Sequence, residues 1–195
     1  MSTSRNTGSV AADNTRLGIT VLCLFGVAWT LVLIPLSSAS TPVALTIMAI
    51  AVLWAGSLLL ASRQRDFTPT EQTSADAAPL NAAQRQRVFV ITNVAQAVVF
   101  SVVISICIAT ARVEWIPLFA ALFVGLHFIP LAWAFAELSF GWAGAALTIL
   151  GVLGLLLATV VTTSEVAVTV TAAGSALTLL VTATVLLQQQ GRTGL

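Results

Sequence analysis

The chain has 195 residues, of which 58% are hydrophobic and only 8% charged, with a mean hydropathy of +1.01. Soluble domains carry about 25% charged residues, so no water-soluble fold of this length would hide so much apolar surface. A net charge of +1 without a dense basic run excludes nucleic acid as an expected partner. Composition makes the lipid bilayer the first partner.

A helix crossing about 30 Å of hydrocarbon needs about 20 apolar residues. Six such runs occur, at 17–36, 43–61, 88–111, 116–136, 141–162 and 166–187, and none has Asp, Glu, Lys or Arg through its middle. The alternating segments of about 10 residues that mark a membrane β-barrel do not occur. The expected fold class is therefore all-α: a polytopic membrane protein with a single bundle of six transmembrane helices. Residues 1–16 and 188–195 form tails, and 62–87 a flexible polar loop.

All eight basic residues are Arg. Arg5, Arg16, Arg63, Arg65, Arg85, Arg87 and Arg192 fall on one side of the six-span arrangement and Arg112 alone on the other. The positive-inside rule then places both termini and the long loop in the cytoplasm. Ser38-Ala39-Ser40 after the first span resembles a signal cleavage site. The preceding apolar core is longer than the 7–15 residues of a cleaved signal, so a retained helix is expected. Cys23 in the first span and Cys107 in the third have no paired or metal-like spacing and read as small buried thiols.

Between the second and third spans, Thr68-Pro69 and Ser74 to Pro79 read as a stretch without a core. Pro79 is suited to a first helical position, so the third helix is expected to start near it. Arg85 and Arg87 would then anchor at headgroup level. The remaining loops, 37–42, 112–115, 137–140 and 163–165, are short and make consecutive helices antiparallel neighbours. Trp115, Trp133 and Trp142 fall near span ends, where indoles bridge lipid and headgroup.

In the third span Asn93 and Gln96 are three apart and share a face, continued by Phe100 and then Val103 or Cys107. Carboxamides in hydrocarbon must find partners. The fourth span holds the chain's single histidine, His127, about 16 Å in from the outer end at 1.5 Å per residue. Pro130 lacks an N–H, which frees the Leu126 carbonyl and predicts a kink. With Gly125 thinning the helix and Phe123 and Phe128 alongside, this is a polar point with room around it. Counting from the loop at 112–115, Gln96 and His127 lie within about one helical turn of the same depth. An intramembrane ionisable residue defaults to a functional hypothesis, against the plainer reading of a neutral ring bonded to Gln96 or Asn93 as interhelical glue. No further ligand lies at matching depth, so neither a metal nor a cofactor is expected.

The fifth span carries Gly141, Gly144, Thr148 and Gly151 on one stripe. The sixth carries Thr171, Ser175, Thr178 and Thr182, with Gly174 beside them. Close packing of these two helices on each other is the expected use. Of the acids, Glu114 and Glu165 precede helix starts, where a carboxylate meets the positive helix end. Glu137, at the inner end of the fourth span, has no such ready account. Ile34-Pro-Leu36 and Ile129-Pro-Leu131 echo one another without any wider repeat of the transporter kind.

The residues Asn93-Val-Ala-Gln96, Glu114-Trp-Ile-Pro117 and Gly125-Leu-His-Phe-Ile-Pro-Leu-Ala132 together resemble a family of small bacterial multi-span integral membrane proteins of uncharacterised function. The likeness covers about a quarter of the chain, in the third and fourth spans. It implies an all-helical membrane bundle, implies that Asn93, Gln96 and His127 belong together, and supplies no substrate. Family members follow the run with a basic residue, where this chain has Trp133-Ala-Phe-Ala-Glu137.

The expected function is binding or translocation of a small or lipophilic molecule at a polar site between the third and fourth helices. Asn93, Gln96, Phe100, Phe123, His127 and Phe128 would contact the ligand, in an assembly that includes a homo-oligomer. The alternative is an intramembrane enzyme acting on an isoprenoid-like substrate. Its proton would come from His127, Glu114 or Glu137, and cations would be stabilised on aromatic faces. An accessory subunit of a larger membrane complex is the third reading.

Overall fold

The structure is a computed structural model, and it describes residues 7–32, 41–64, 80–160 and 164–192. The expected end of the first helix at 36, the signal-like Ser38-Ala39-Ser40, and most of the long loop lie outside these residues.

Six helices run in sequence: α1 (Thr7–Leu31), α2 (Thr41–Gln64), α3 (Ala82–Ala109), α4 (Ile116–Phe135), α5 (Leu138–Val160) and α6 (Ser164–Arg192). One 3₁₀ turn, Val113–Trp115, leads into α4, and no strand occurs among the described residues. Five of the helices, α2 to α6, are long and apolar enough to cross a membrane, and α1 contributes a shorter apolar segment, Ile19–Leu31. The all-α membrane bundle expected from composition is what the chain forms.

Helix ends follow from local chemistry. α3 begins after Asn81 rather than at Pro79, because Asn81 and Gln84 make a reciprocal capping box. The Asn81 side chain accepts from Gln84 N at 2.9 Å, and Asn81 N donates to Gln84 Oε1 at 3.0 Å. α3 and α4 both end on an alanine in the left-handed region, Ala111 at φ 53 and Ala136 at φ 52. The next N–H in each case folds back onto the helix, Arg112 to Cys107 O at 2.7 Å and Glu137 to Ala132 O at 3.1 Å. This closure usually calls for glycine, which has no Cβ to clash.

The bundle is built around α6. Of its most apolar 18-residue stretch 56% is buried, against none of the corresponding stretch of α3. α6 touches α1, α2, α4 and α5, and α1 pairs with α2. The main core joins α1, α2, α5 and α6 through Ile19, Leu22, Ala55, Leu147, Ala176, Leu179 and Leu180. Trp54 Nε1 donates to Thr184 Oγ1 at 3.2 Å, tying α2 to α6. The substantial contacts of α3 are with α4 and the 3₁₀ turn alone. The four short connections do make α1–α2, α3–α4, α4–α5 and α5–α6 neighbours, whereas α2 and α3, joined by the long loop, are not in substantial contact.

The most extensive interface is α4 on α5, and it corrects the expected use of the glycine stripe. A Cβ at Gly144 would come 2.8 Å from Gly125 O and 2.9 Å from Phe128 Cβ. One at Gly151 would come 2.5 Å from Leu122 N. Gly144, Thr148 and Gly151 therefore face α4, and the approach is so close because both helices present glycine there. Gly154, one turn further, is the α5 glycine whose Cβ would run into α6, at Thr171 Oγ1. The α6 hydroxyls are turned inward: Thr171 and Ser175 are buried, and Thr178 and Thr182 bond carbonyls of their own helix.

Candidate functional site

α3 meets α4 along one seam. Its half-buried residues Val88, Thr92, Gln96, Phe100, Val103 and Ile104, with buried Cys107, recur at spacings of three and four. That stripe is what a helix presents to a single neighbour. Gln96, Phe100 and Cys107 lie on the seam as their spacing predicted. Asn93 does not: it is exposed, and its Nδ2 donates to Phe89 O of its own helix at 2.7 Å. A shift of three residues rotates a side chain by about 60°, enough here to move it off a contact one helix wide.

On the α4 side, His127 is half-buried and its ring meets the backbone of Thr92. This fixes the antiparallel register: Thr92 is level with His127, and Gln96 lies one turn, about 6 Å, further along α3. The expected depth match holds to that turn. Direct bonding between the amides and the ring does not occur. His127 Nδ1 is enclosed and has no hydrogen-bond partner. The plainer reading, a ring satisfied by Gln96 or Asn93, is thus not what the geometry contains. Thr92 went unnoticed in the sequence because its hydroxyl is satisfied internally, donating to Val88 O at 2.7 Å. The signal that finds it is the spacing of four in Val88, Thr92, Gln96 and Phe100.

Gly125 does not open space beside His127, as was expected. A Cβ there would overlap Thr148 N, lie 2.5 Å from Thr148 Oγ1 and lie 2.7 Å from Gly144 O. The thin side of α4 is filled by the α5 backbone. Phe128 follows the same face: it stacks on Phe140 of α5 at 5.8 Å and meets His127 edge-on at 6.1 Å. Phe123 stacks on Phe119 of its own helix at 6.1 Å. The helix continues unbroken through Pro130. Pro130 therefore removes the N–H that Leu126 O would otherwise accept from, one residue from the imidazole.

The candidate acids are distant. Glu114 is in the 3₁₀ turn, and Glu137 follows the end of α4, about 20 Å and 15 Å along the axis from His127 at 1.5 Å per residue. Glu137, unexplained by sequence, has a local role: its Oε1 accepts from Ser139 N at 3.2 Å, at the start of α5. Arg112, beside Glu114 in sequence, lies over the Trp115 ring at 5.1 Å. No group of three metal-ligating side chains occurs among the described residues.

The seam thus holds an imidazole nitrogen without a partner and, one turn along α3, a carboxamide with no hydrogen bond among the described residues. Its chemistry is that of neutral donors and acceptors set among aromatic and aliphatic carbon. No family model, curated protein or solved structure matches this chain, so the reading of the seam rests on its own residues.

Proposed function

We propose that the α3–α4 seam binds a lipophilic molecule with a small hydrogen-bonding head, taken from the bilayer and passed along or across it. The observation that supports this reading is the enclosed, unpartnered His127 Nδ1, one turn from half-buried Gln96, whose carboxamide makes no hydrogen bond among the described residues. An unmet polar atom in a low-dielectric interior costs about 1–3 kcal/mol, and a ligand head that supplies the missing bond recovers it. Phe100 and Phe123 lie on the outer side of the His127 level, toward the loop at 112–115, and suit an apolar tail. α3, held along one seam, is the wall that moves to admit it. Orientation follows from the arginines: termini and long loop on the cytoplasmic side of a bacterial inner membrane.

The enzymatic alternative receives less support, because Glu114 and Glu137 are remote from the imidazole and Glu137 is engaged at the start of α5. The test is lipid extraction and mass spectrometry of the chain purified in native-lipid particles. A lipophilic compound should co-purify with the wild type and be lost from His127→Leu and Gln96→Leu, which keep the fold. Equal recovery from all three would end the proposal.

A further inference from the structure

We propose that the outward face of α3 is a self-association surface, on which two copies meet about a two-fold axis along the membrane normal with Asn93 facing Asn93. This is separate from the seam, since Asn93 is exposed and lies about 60° round α3 from Gln96.

Asn93 lies six residues past Arg87, about 9 Å beyond the headgroup level at 1.5 Å per residue. A side chain so short does not reach water from that depth. Its bond to Phe89 O at 2.7 Å uses one N–H. The second N–H and Oδ1 have no partner among the described residues, and Asn93 is exposed at a depth where hydrocarbon offers none. Lipid chains can cover the neighbouring Phe89, Val94 and Val98, all of them exposed, but cannot meet a carboxamide. What covers Asn93 must present one donor and one acceptor at the same depth. A second Asn93 across a two-fold axis presents both, and the pair closes reciprocally, Nδ2–H to Oδ1 in each direction. Isologous contacts of this kind are the commonest route to a homodimer, and a lone buried Asn specifies register between paired helices.

The rest of the face permits the approach. Continuing from Asn93 in steps of four, Ala97 and Ser101 are exposed. Ser101 Oγ donates to Ala97 O at 2.8 Å, so its hydroxyl does not compete for the partner. The shallow groove lined by Ser101, Val102, Ser105, Ile106 and Ala109 lies roughly 150° round α3 from Asn93 and takes no part; close approach rests on the small, exposed Ala97, one turn on from Asn93.

The full chain carrying Ala97→Cys, in vesicles of phosphatidylethanolamine and phosphatidylglycerol, should form a disulfide-linked dimer under mild oxidation. Leu153→Cys, on the exposed side of α5, should not, and buried Cys23 and Cys107 should leave little background. Fluorescence energy transfer between labelled copies, followed as lipid is added, should show dimerisation weakened at least tenfold by Asn93→Ala. Asn93→Gln should retain most of it, and the melting temperature of the dispersed monomer should be unchanged in both. A wild type that stays monomeric at every protein-to-lipid ratio overturns the proposal. So does a dimer indifferent to Asn93→Ala, or a monomer whose α3 is occupied by another protein or a tightly held phospholipid.

Discussion

Substituting Gly125 by Ala tests the α4–α5 contact on which the position of His127 depends. The added methyl would meet Thr148 Oγ1 at 2.5 Å and Gly144 O at 2.7 Å, whereas ordinary contact begins at 3.4 Å. The opposing atoms are mostly backbone, so no rotamer change makes room and the two helices must separate by roughly an ångström. Overpacking of this kind costs about 1–3 kcal/mol. Alanine recovers about 0.5–1 kcal/mol through helix propensity, which leaves a net loss near 1–2 kcal/mol, a roughly 5- to 30-fold fall in the folded population. Two glycines serve as controls. Gly56 has nothing within 4 Å of its would-be Cβ, and Gly141 would meet only Ala132 Cβ at 3.6 Å. SDS titration of the purified protein, followed by tryptophan fluorescence, should rank Gly125→Ala well below wild type, with Gly56→Ala and Gly141→Ala at or above it. If Gly125→Ala unfolds with the controls, the backbones do not approach as described, and the placement of His127 on the opposite side of α4 loses its basis.

Three further substitutions separate the seam from the scaffold. His127→Leu should change stability little, because it removes both the unpartnered Nδ1, which costs about 1–3 kcal/mol, and the ring's contact with the Thr92 backbone, and should abolish ligand recovery; a marked loss of stability would show that the Thr92 contact outweighs the unmet nitrogen. Asn81→Ala should cost about 0.5–2 kcal/mol by opening the capping box, read as faster amide exchange confined to the first turn of α3, and unchanged exchange there would remove the box. Ala136→Gly should gain roughly 1 kcal/mol by relieving a left-handed alanine, and a fall in the SDS midpoint would contradict the φ of 52 found there.

The fold was legible because apolar runs of membrane-spanning length admit few alternatives: once six were counted, short loops fixed the order of neighbours. What the sequence left undetermined was which helix each small-residue stripe faces. Gly144, Thr148 and Gly151 recur on one face whichever neighbour they meet, and only the partner's glycine at 125 decides for α4. At the candidate site, spacing placed Gln96 and Phe100 on the seam correctly, because a stripe of four turns averages out error. It misplaced Asn93, because three residues along a helix is the interval at which a neighbour on the same face and a residue just off it look alike. Phe128 was read as lining the polar point for the same reason, while its ring belongs with Phe140. Bond partners such as the Thr92 backbone are not encoded in residue type at all.

Polar side chains in this bundle divide by how much of their hydrogen bonding a helix can absorb alone. A hydroxyl has one donor, and Thr148, Thr178, Thr182 and Thr184 each spend it on the carbonyl four residues back, at 2.8 Å. That leaves the core around α6 polar in composition and nearly apolar in demand. A carboxamide has two N–H groups and an acceptor, so even Asn93, which makes the same kind of bond to Phe89, retains atoms that only another molecule or helix can meet. The carboxamides of the membrane spans, Asn93 and Gln96, sit on α3, the helix with a single partner. Two α6 hydroxyls depart from this division: Thr171 donates across to Leu150 O of α5, and Ser175 is wholly buried with no partner for its Oγ among the described residues. If stability depends on absorbed demand, Ser175→Ala should raise the SDS midpoint, since it deletes an unmet donor at the cost of one small atom. Thr171→Val, which breaks the 3.4 Å bond to Leu150 O, should lower it. The opposite order would mean that Ser175 Oγ has a partner and that the Thr171 bond across to α5 contributes little, and α6 rather than α3 would be the place to look for a polar path.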